Sequence, residues 1–331
     1  MKTVSYKPRS ERKKILLICD DIRSNSGVAN VAKDIVMQTS EHYNWACIAG
    51  SIKHPDKGKR LDISNAFEKE LGIKDIYCMI YPVDGYGDPQ LVRQIIDIEQ
   101  PDGLMIITDP RYFEWLFHME RELRKDMPII YLNIWDDLPA PQYNEAFYES
   151  CDTLLAISKQ TKLINETVLG SKAKDKIIEY IPHGINDEVF YPKNDSDGDY
   201  KDYLKFKNTL LDKDYDFTML FNSRNMRRKQ LPDAMTAFRI FLDKLDKKDA
   251  DKCTFIVHTE LVSEHGTDLV ALSEYLFGGK YDNAIKFTNQ RLGTLQMHWL
   301  YNIADVQIQL SSNEGWGLAL TEAIMCGTPF I

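Results

Sequence analysis

The stretch that most constrains this chain is its last one, from Ala304 to Ile331. Ala304-Asp305-Val306-Gln307-Ile308-Gln309-Leu310 alternates apolar with polar residues and predicts a strand. Ser311 to Gly317 holds two glycines and predicts a turn. Leu318 to Cys326 predicts an apolar-rich helix, closed by Gly327 and stopped by Pro329. Strand, glycine loop and helix N-terminus together make an anion site, because the first helical N–H groups lack backbone acceptors and carry partial positive charge. Glu314 and Glu322 frame it, with seven residues between them. Carboxylates repel a phosphate but accept hydrogen bonds from neutral hydroxyls beside it. The ligand so described carries phosphate and sugar hydroxyls together, as a nucleotide-sugar does.

A chain of 331 residues predicts two domains, and 44% hydrophobic residues suffice for two packed cores. The formal net charge of -9 argues against a protein built to hold nucleic-acid backbone. Six cysteines are scattered without a CxxC pair, which reads as reduced thiols of a cytoplasmic protein. The basic start MKTVSYKPRSERKK precedes only a short apolar run, Ile15 to Cys19, too short for a signal sequence or a membrane span. Peripheral membrane contact is compatible with this composition.

Ile15–Cys19 reads as a buried parallel strand, followed by Gly27 and an amphipathic helix from about Val28. Further strands are expected at 45–49, 76–80, 103–108, 129–134 and 153–157, with helices at 88–100 and 112–125. Strands at 217–222, 253–259 and 285–289 follow. This alternation predicts doubly wound parallel sheets that hold ligands at strand C-terminal ends. The absence of G-x-G-x-x-G argues against a dinucleotide enzyme. Residues 193–216 are densely charged and read as a surface excursion. Its Asp195-Ser196-Asp197 has the form of a D-x-D metal motif but lies in a polar tract. No HExxH, His/Cys cluster or nucleophile elbow is present.

EGWGLALTEAIMCGTPFI resembles the E-x7-E signature of glycosyltransferase family 4, with Gly315, Gly317, Leu318, Gly327 and Pro329 all in register. The resemblance implies the GT-B fold: two Rossmann-like domains, here 1–190 and 191–331, with the active site in the cleft between them. The chain stops where that family continues, so the second domain is expected to be incomplete. SRNMRRKQLP is similar to the family's basic element, which implies Arg224 and Lys229 as diphosphate ligands, together with Gly27 and the turn Trp316-Gly317-Leu318. Glu322 is implied for the donor ribose and Glu314 for the transferred sugar near its anomeric carbon. Asn289 and Gln290 follow the strand whose end meets the base in that family. WDDLP resembles the family's HD-x-x-P segment. Trp135 stands in place of its His, leaving Asp136 as the expected acid/base auxiliary, with Asp137 read as a loop or capping carboxylate. His183, in place of an Asn, reads as structural.

The expected activity is hexosyl transfer from a nucleotide-sugar to an acceptor hydroxyl, with retention and without a metal or other cofactor. The acceptor, whether glycan, lipid, protein or small molecule, has no readable code. A nucleotide-sugar epimerase of the same fold and a non-catalytic nucleotide-sugar-binding scaffold are the alternatives.

Overall fold

The computed structural model describes residues 7–24, 26–51 and 53–331, so the first part of the basic N-terminal stretch lies outside it. The chain divides into two compact units, Met1–His183 and Gly184–Ile331.

In the first unit the eight strands are β1 (Lys13–Asp20), β2 (Tyr43–Gly50), β3 (Leu61–Asp62), β4 (Cys78–Pro82), β5 (Gly103–Ile107), β6 (Ile129–Asn133), β7 (Thr153–Ala156) and β8 (Ile177–Tyr180). They lie in the order β3-β4-β2-β1-β5-β6-β7-β8, parallel except for the short edge pair β3–β4. Helices cover the sheet, so β2, β4 and β5 are buried almost throughout, which is why they read as continuous apolar runs. The helix Gly27–Gln38 buries Ala29, Ala32, Val36 and Met37, one face of a 3.6-residue period.

The second unit is a four-stranded parallel sheet of β9 (Phe217–Asn222), β10 (Cys253–His258), β11 (Ile285–Thr288) and β12 (Val306–Gln307), in the order β11-β10-β9-β12. Its strands feed two cores by alternation: Met219 and Phe221 pack on one face, Leu220 on the other. The expected strand at 304–310 is regular only at Val306–Gln307. Beyond it Phe330 forms an isolated parallel bridge with Gln307. Among the described residues no helix is long and apolar enough to cross a membrane. All six cysteines are buried and unpaired.

Two expectations change. Residues 112–125 do not form one helix but a 3-10 turn, Pro110–Phe113, and two single turns, Glu114–Phe117 and Glu120–Leu123. Phe113, Leu116, Phe117, Met119 and Leu123 are all buried, a spacing that also fits one face of a helix, which is why the segment reads as a single helix in the sequence. The charged tract 193–216 contains a helix, Tyr200–Leu210, that belongs to the second core. Tyr203 is buried and donates to the Asn302 carbonyl at 3.2 Å, and Phe206 meets Trp299 with ring centroids 5.6 Å apart. Lysines and aspartates between these aromatic residues hide their helical period.

A buried carboxylate ties the first unit together. Glu99 closes the helix Pro89–Glu99 and is 2% exposed. It accepts from Tyr77 and Tyr81 at 2.5 Å each, from Lys14 at 2.9 Å and from Arg60 at 3.0 Å. Burial pushes its carboxyl up, but these four donors win and bring it down to about 2. A depressed carboxylate stabilises fully above its unfolded value near 4.5 and loses that contribution as pH falls toward 2. Glu99→Gln is therefore expected to lose on the order of 3 kcal/mol at neutral pH. The difference from the parent should shrink through pH 4.5 to 2, as read from urea unfolding at a series of pH values.

Candidate active site

β9 and β12 are neighbours although the chain visits β10 and β11 between them. The sheet order therefore reverses at this pair, and in open parallel sheets the crevice beyond the C-terminal ends of such a pair is the ligand site. Two loops meet there. After β9 the chain turns through Ser223–Gln230, with a 3-10 turn at Arg227–Lys229 and Gln230 at a φ of 49° before the Pro232-started helix Leu231–Asp243. After β12 it runs from Ile308 to Gly317. The Ser312 N–H donates to the Arg228 carbonyl at 2.9 Å, and Arg228 Nη1 donates to the Asn313 carbonyl at 2.7 Å.

The Lys229 ammonium, 7% exposed, makes an ion pair with Glu314 Oε1. The same oxygen accepts from Ser311 Oγ at 2.8 Å and Gln309 Nε2 at 3.1 Å, and Arg228 Nη1 lies 3.8 Å from Oε2. Burial pushes the Glu314 carboxyl up, but the Lys229 hydrogen bond and charge, Ser311 and Arg228 hold it below its ordinary value. Lys229, expected as a phosphate cation, is thus tied to the very carboxylate expected at the sugar. Arg224 is exposed, and among the described residues its side chain has no hydrogen bond or ion pair. Asn225, which the sequence reading passed over, braces this loop. It is 2% exposed, and its amide donates to the Glu260 and Thr267 carbonyls at 3.1 and 2.6 Å and accepts from the Thr267 N–H at 3.0 Å. A Cβ on Gly266 would lie 2.1 Å from the Asn225 amide oxygen, so only glycine lets the two loops close.

The signature helix spans Leu318–Met325, and its N-cap Gly317 has a φ of 82°, a left-handed conformation that favours glycine. No side-chain hydrogen bond caps that end. Glu322, inside the helix, accepts from the Tyr301 hydroxyl at 2.5 Å. Gly327, at a φ of 82°, ends the helix as the sequence indicates. Trp316 and Leu318 are half-buried. Asn289 and Gln290 are exposed at the end of the edge strand β11, two strands from β9, and are not drawn into the cluster.

Gly27 and Asp136 belong to the first unit. Gly27 opens its helix behind Ser26, whose Oγ caps the Ala29 N–H at 3.0 Å and donates to the buried Asp20 at 2.5 Å. Asp136 is half-buried beyond β6, and its carbonyl accepts from Gln160 at 3.3 Å. Trp135 donates through Nε1 to the Asp137 carbonyl at 3.1 Å, and the Arg111 guanidinium stacks over its ring at 5.5 Å. His183 is half-buried, and desolvation pulls its imidazole down to about 4, so it is neutral at pH 7. Asp197 is held by Lys193 at 3.2 Å and by the Asn194 N–H at 3.0 Å. Among the described residues no three His, Cys, Asp or Glu side chains come together as a metal site.

Comparison with known proteins gives this geometry a context. Residues 205–331 match the family described as glycosyl transferases group 1. No curated protein matches the chain in sequence. Among solved structures, sucrose-phosphate synthase from Thermosynechococcus elongatus superposes with a TM-score of 0.70 at 14% identity, over 96% of this chain and 80% of that one. A trehalose-6-phosphate structure from E. coli, bound with UDP-2-fluoro glucose, gives 0.67 at 14% identity, over 95% and 82%. The trehalose-6-phosphate synthase of Burkholderia multivorans gives 0.67 at 14%, over 95% and 81%. At such identities the likeness shows the fold, the two-sheet α/β architecture expected from the sequence. The family match lies on the unit that holds the clustered loops.

Removing the cation from Glu314 exposes the opposing effect of burial. Lys229→Met is expected to raise the Glu314 carboxyl above its value in the parent, a direction readable by carbon-13 NMR of labelled glutamate. An unchanged midpoint would show that Lys229 does not govern this carboxylate.

Proposed function

We propose that this protein transfers a hexosyl group from a nucleoside-diphosphate sugar to an acceptor hydroxyl, with retention and without a metal, in the manner of glycosyltransferase family 4. The observation that carries the reading is one crevice of the second unit. There an uncapped helix N-terminus at Gly317, a basic loop and two separately anchored glutamates sit at the point where the strand order reverses. The E. coli structure of the same fold, described with UDP-2-fluoro glucose, supports a nucleotide-sugar as the donor.

In this reading Arg224 takes the diphosphate by a planar fork of donors, joined by the first-turn N–H groups of Leu318–Met325. These groups stabilise the charge that develops on the departing diphosphate, the task a metal performs in other transferases. Glu322 accepts from the ribose hydroxyls, and Glu314 from hydroxyls of the transferred sugar. Lys229 is shared between Glu314 and the phosphate oxygen nearest the anomeric carbon, so it orients the one and neutralises the other. Gly27 remains a candidate for the diphosphate and Asp136 for the acid/base auxiliary, both on the first unit. Asn289 and Gln290 remain candidates for the base. The buried, unpaired thiols support a reducing compartment such as the cytoplasm.

Thermal shift with UDP-, GDP- and ADP-sugars tests the assignment. One nucleotide class at a hundred times its dissociation constant is expected to stabilise the parent by about 2.7 kcal/mol. Arg224→Ala and Glu322→Ala are expected to lose most of that gain. No stabilisation by any of the three classes would remove the donor-site reading.

A further inference from the structure

Glu322 is held from the protein side by a relay that no sequence motif reports. Asn222, the last residue of β9, places its Nδ2 2.8 Å from the Tyr301 hydroxyl, and that hydroxyl lies 2.5 Å from Glu322 Oε2. The directions of the two bonds follow from inventory. An amide nitrogen donates only and a carboxylate accepts only, so the phenol oxygen accepts from Asn222 and its single proton points at Glu322. The second bond is a charge-assisted O–H···O⁻ contact at the short end of the range for that class. Tyr301 has no freedom to turn away. Its side chain is fully buried in the second core, edge-on to Phe190 with centroids 5.9 Å apart. Its own carbonyl accepts from the buried Thr328 hydroxyl at 2.7 Å. The strand β9, the helix Thr294–Ile303 and the helix Leu318–Met325 therefore converge on one carboxylate oxygen.

We propose that Tyr301, oriented by Asn222, is a positioning residue that fixes the Glu322 carboxylate for the ribose hydroxyls of the donor and so makes the site select ribo- over 2′-deoxyribonucleotides. The inference rests on the donor-site reading above and adds to it the source of the selectivity. A free glutamate on a helix has three rotatable bonds and adapts to whichever hydroxyls are offered. A glutamate with one oxygen pinned presents its remaining acceptor positions in one plane. A ribose diol matches that plane with two adjacent donors, whereas a deoxyribose leaves part of a fixed charged acceptor unmet, which is costly in a partly desolvated site. Burial, then the charge of Glu322, keeps the phenol well above its ordinary value, so Tyr301 remains a donor through neutral and mildly alkaline pH.

Isothermal titration of the full chain with UDP, GDP and ADP, and with the 2′-deoxy counterpart of whichever binds, tests this. The parent is expected to favour the ribonucleotide by about tenfold or more. Tyr301→Phe keeps the ring and removes the donor, and is expected to weaken the ribonucleotide about tenfold while leaving its deoxy counterpart nearly unchanged. Asn222→Ala, at the half-exposed end of β9, should shift discrimination the same way by a smaller factor, and carries the test if Tyr301→Phe does not fold. Equal weakening of both nucleotides, or discrimination unchanged from the parent, would overturn the proposal and leave the donor site standing. A parent that binds none of the three ribonucleotides would overturn the donor site and this inference with it.

Discussion

The second unit depends on a buried ammonium that must be satisfied. Lys229 lies on the loop after β9 and Glu314 on the loop after β12, 85 residues later, and their ion pair forms at the point where the winding of the sheet brings the two strands side by side. A lysine this deep carries a desolvation penalty that only a close, hydrogen-bonded partner offsets, and removing either partner typically costs about 3–5 kcal/mol. Glu314 is in turn fixed by Gln309 and Ser311, so the pair is rigid and holds the two loops in register. On the proposed reading this has a chemical corollary. With Lys229 already paired to Glu314, the cation left for the diphosphate in that reading is Arg224.

Much of this was legible because the decisive chemistry is local. Gly317 and Gly327 sit at positive φ where the strand-turn-helix pattern needed glycine. The alternation of apolar runs with amphipathic segments located ten of the twelve strands among the described residues, most readily those buried on both faces, which are recognisable without tertiary information. The groups that make the site stiff were not legible, because their partners are far off in the sequence. Tyr301 reaches Asn222 across 79 residues, and Asn225 reaches Thr267 across 42. Nothing in the immediate neighbourhood of Tyr301 distinguishes it from any other helix aromatic. The charged tract before β9 misled for the opposite reason: its surface residues are visible in composition, while the few aromatic residues that fasten Tyr200–Leu210 to the core are sparse.

In the first unit the two ends of the sheet are used differently. At the strand N-terminal end, Glu99 draws Lys14, Arg60, Tyr77 and Tyr81 into one closed network, a purely cohesive arrangement. At the C-terminal end polar groups occupy the loops that parallel sheets offer to ligands. There Asp20 takes Ser26 and Tyr86, the latter at 2.7 Å, and Thr108 adopts a φ of 98°, a strained value for a β-branched residue. Such strain persists only where surrounding contacts enforce it, here including the Tyr131 hydroxyl on the Thr108 carbonyl at 2.8 Å.

The six cysteines give the molecule a further property. All are buried and unpaired, and burial raises the thiols of Cys19, Cys151, Cys253 and Cys326 above their ordinary value, suppressing the thiolate form that alkylating reagents attack. The native protein is consequently a quiet background for thiol chemistry. One cysteine introduced on a surface loop becomes the preferred handle for a fluorophore or spin label. The native thiols become reactive only as their cores open, so the rate of their modification measures how often each unit unfolds.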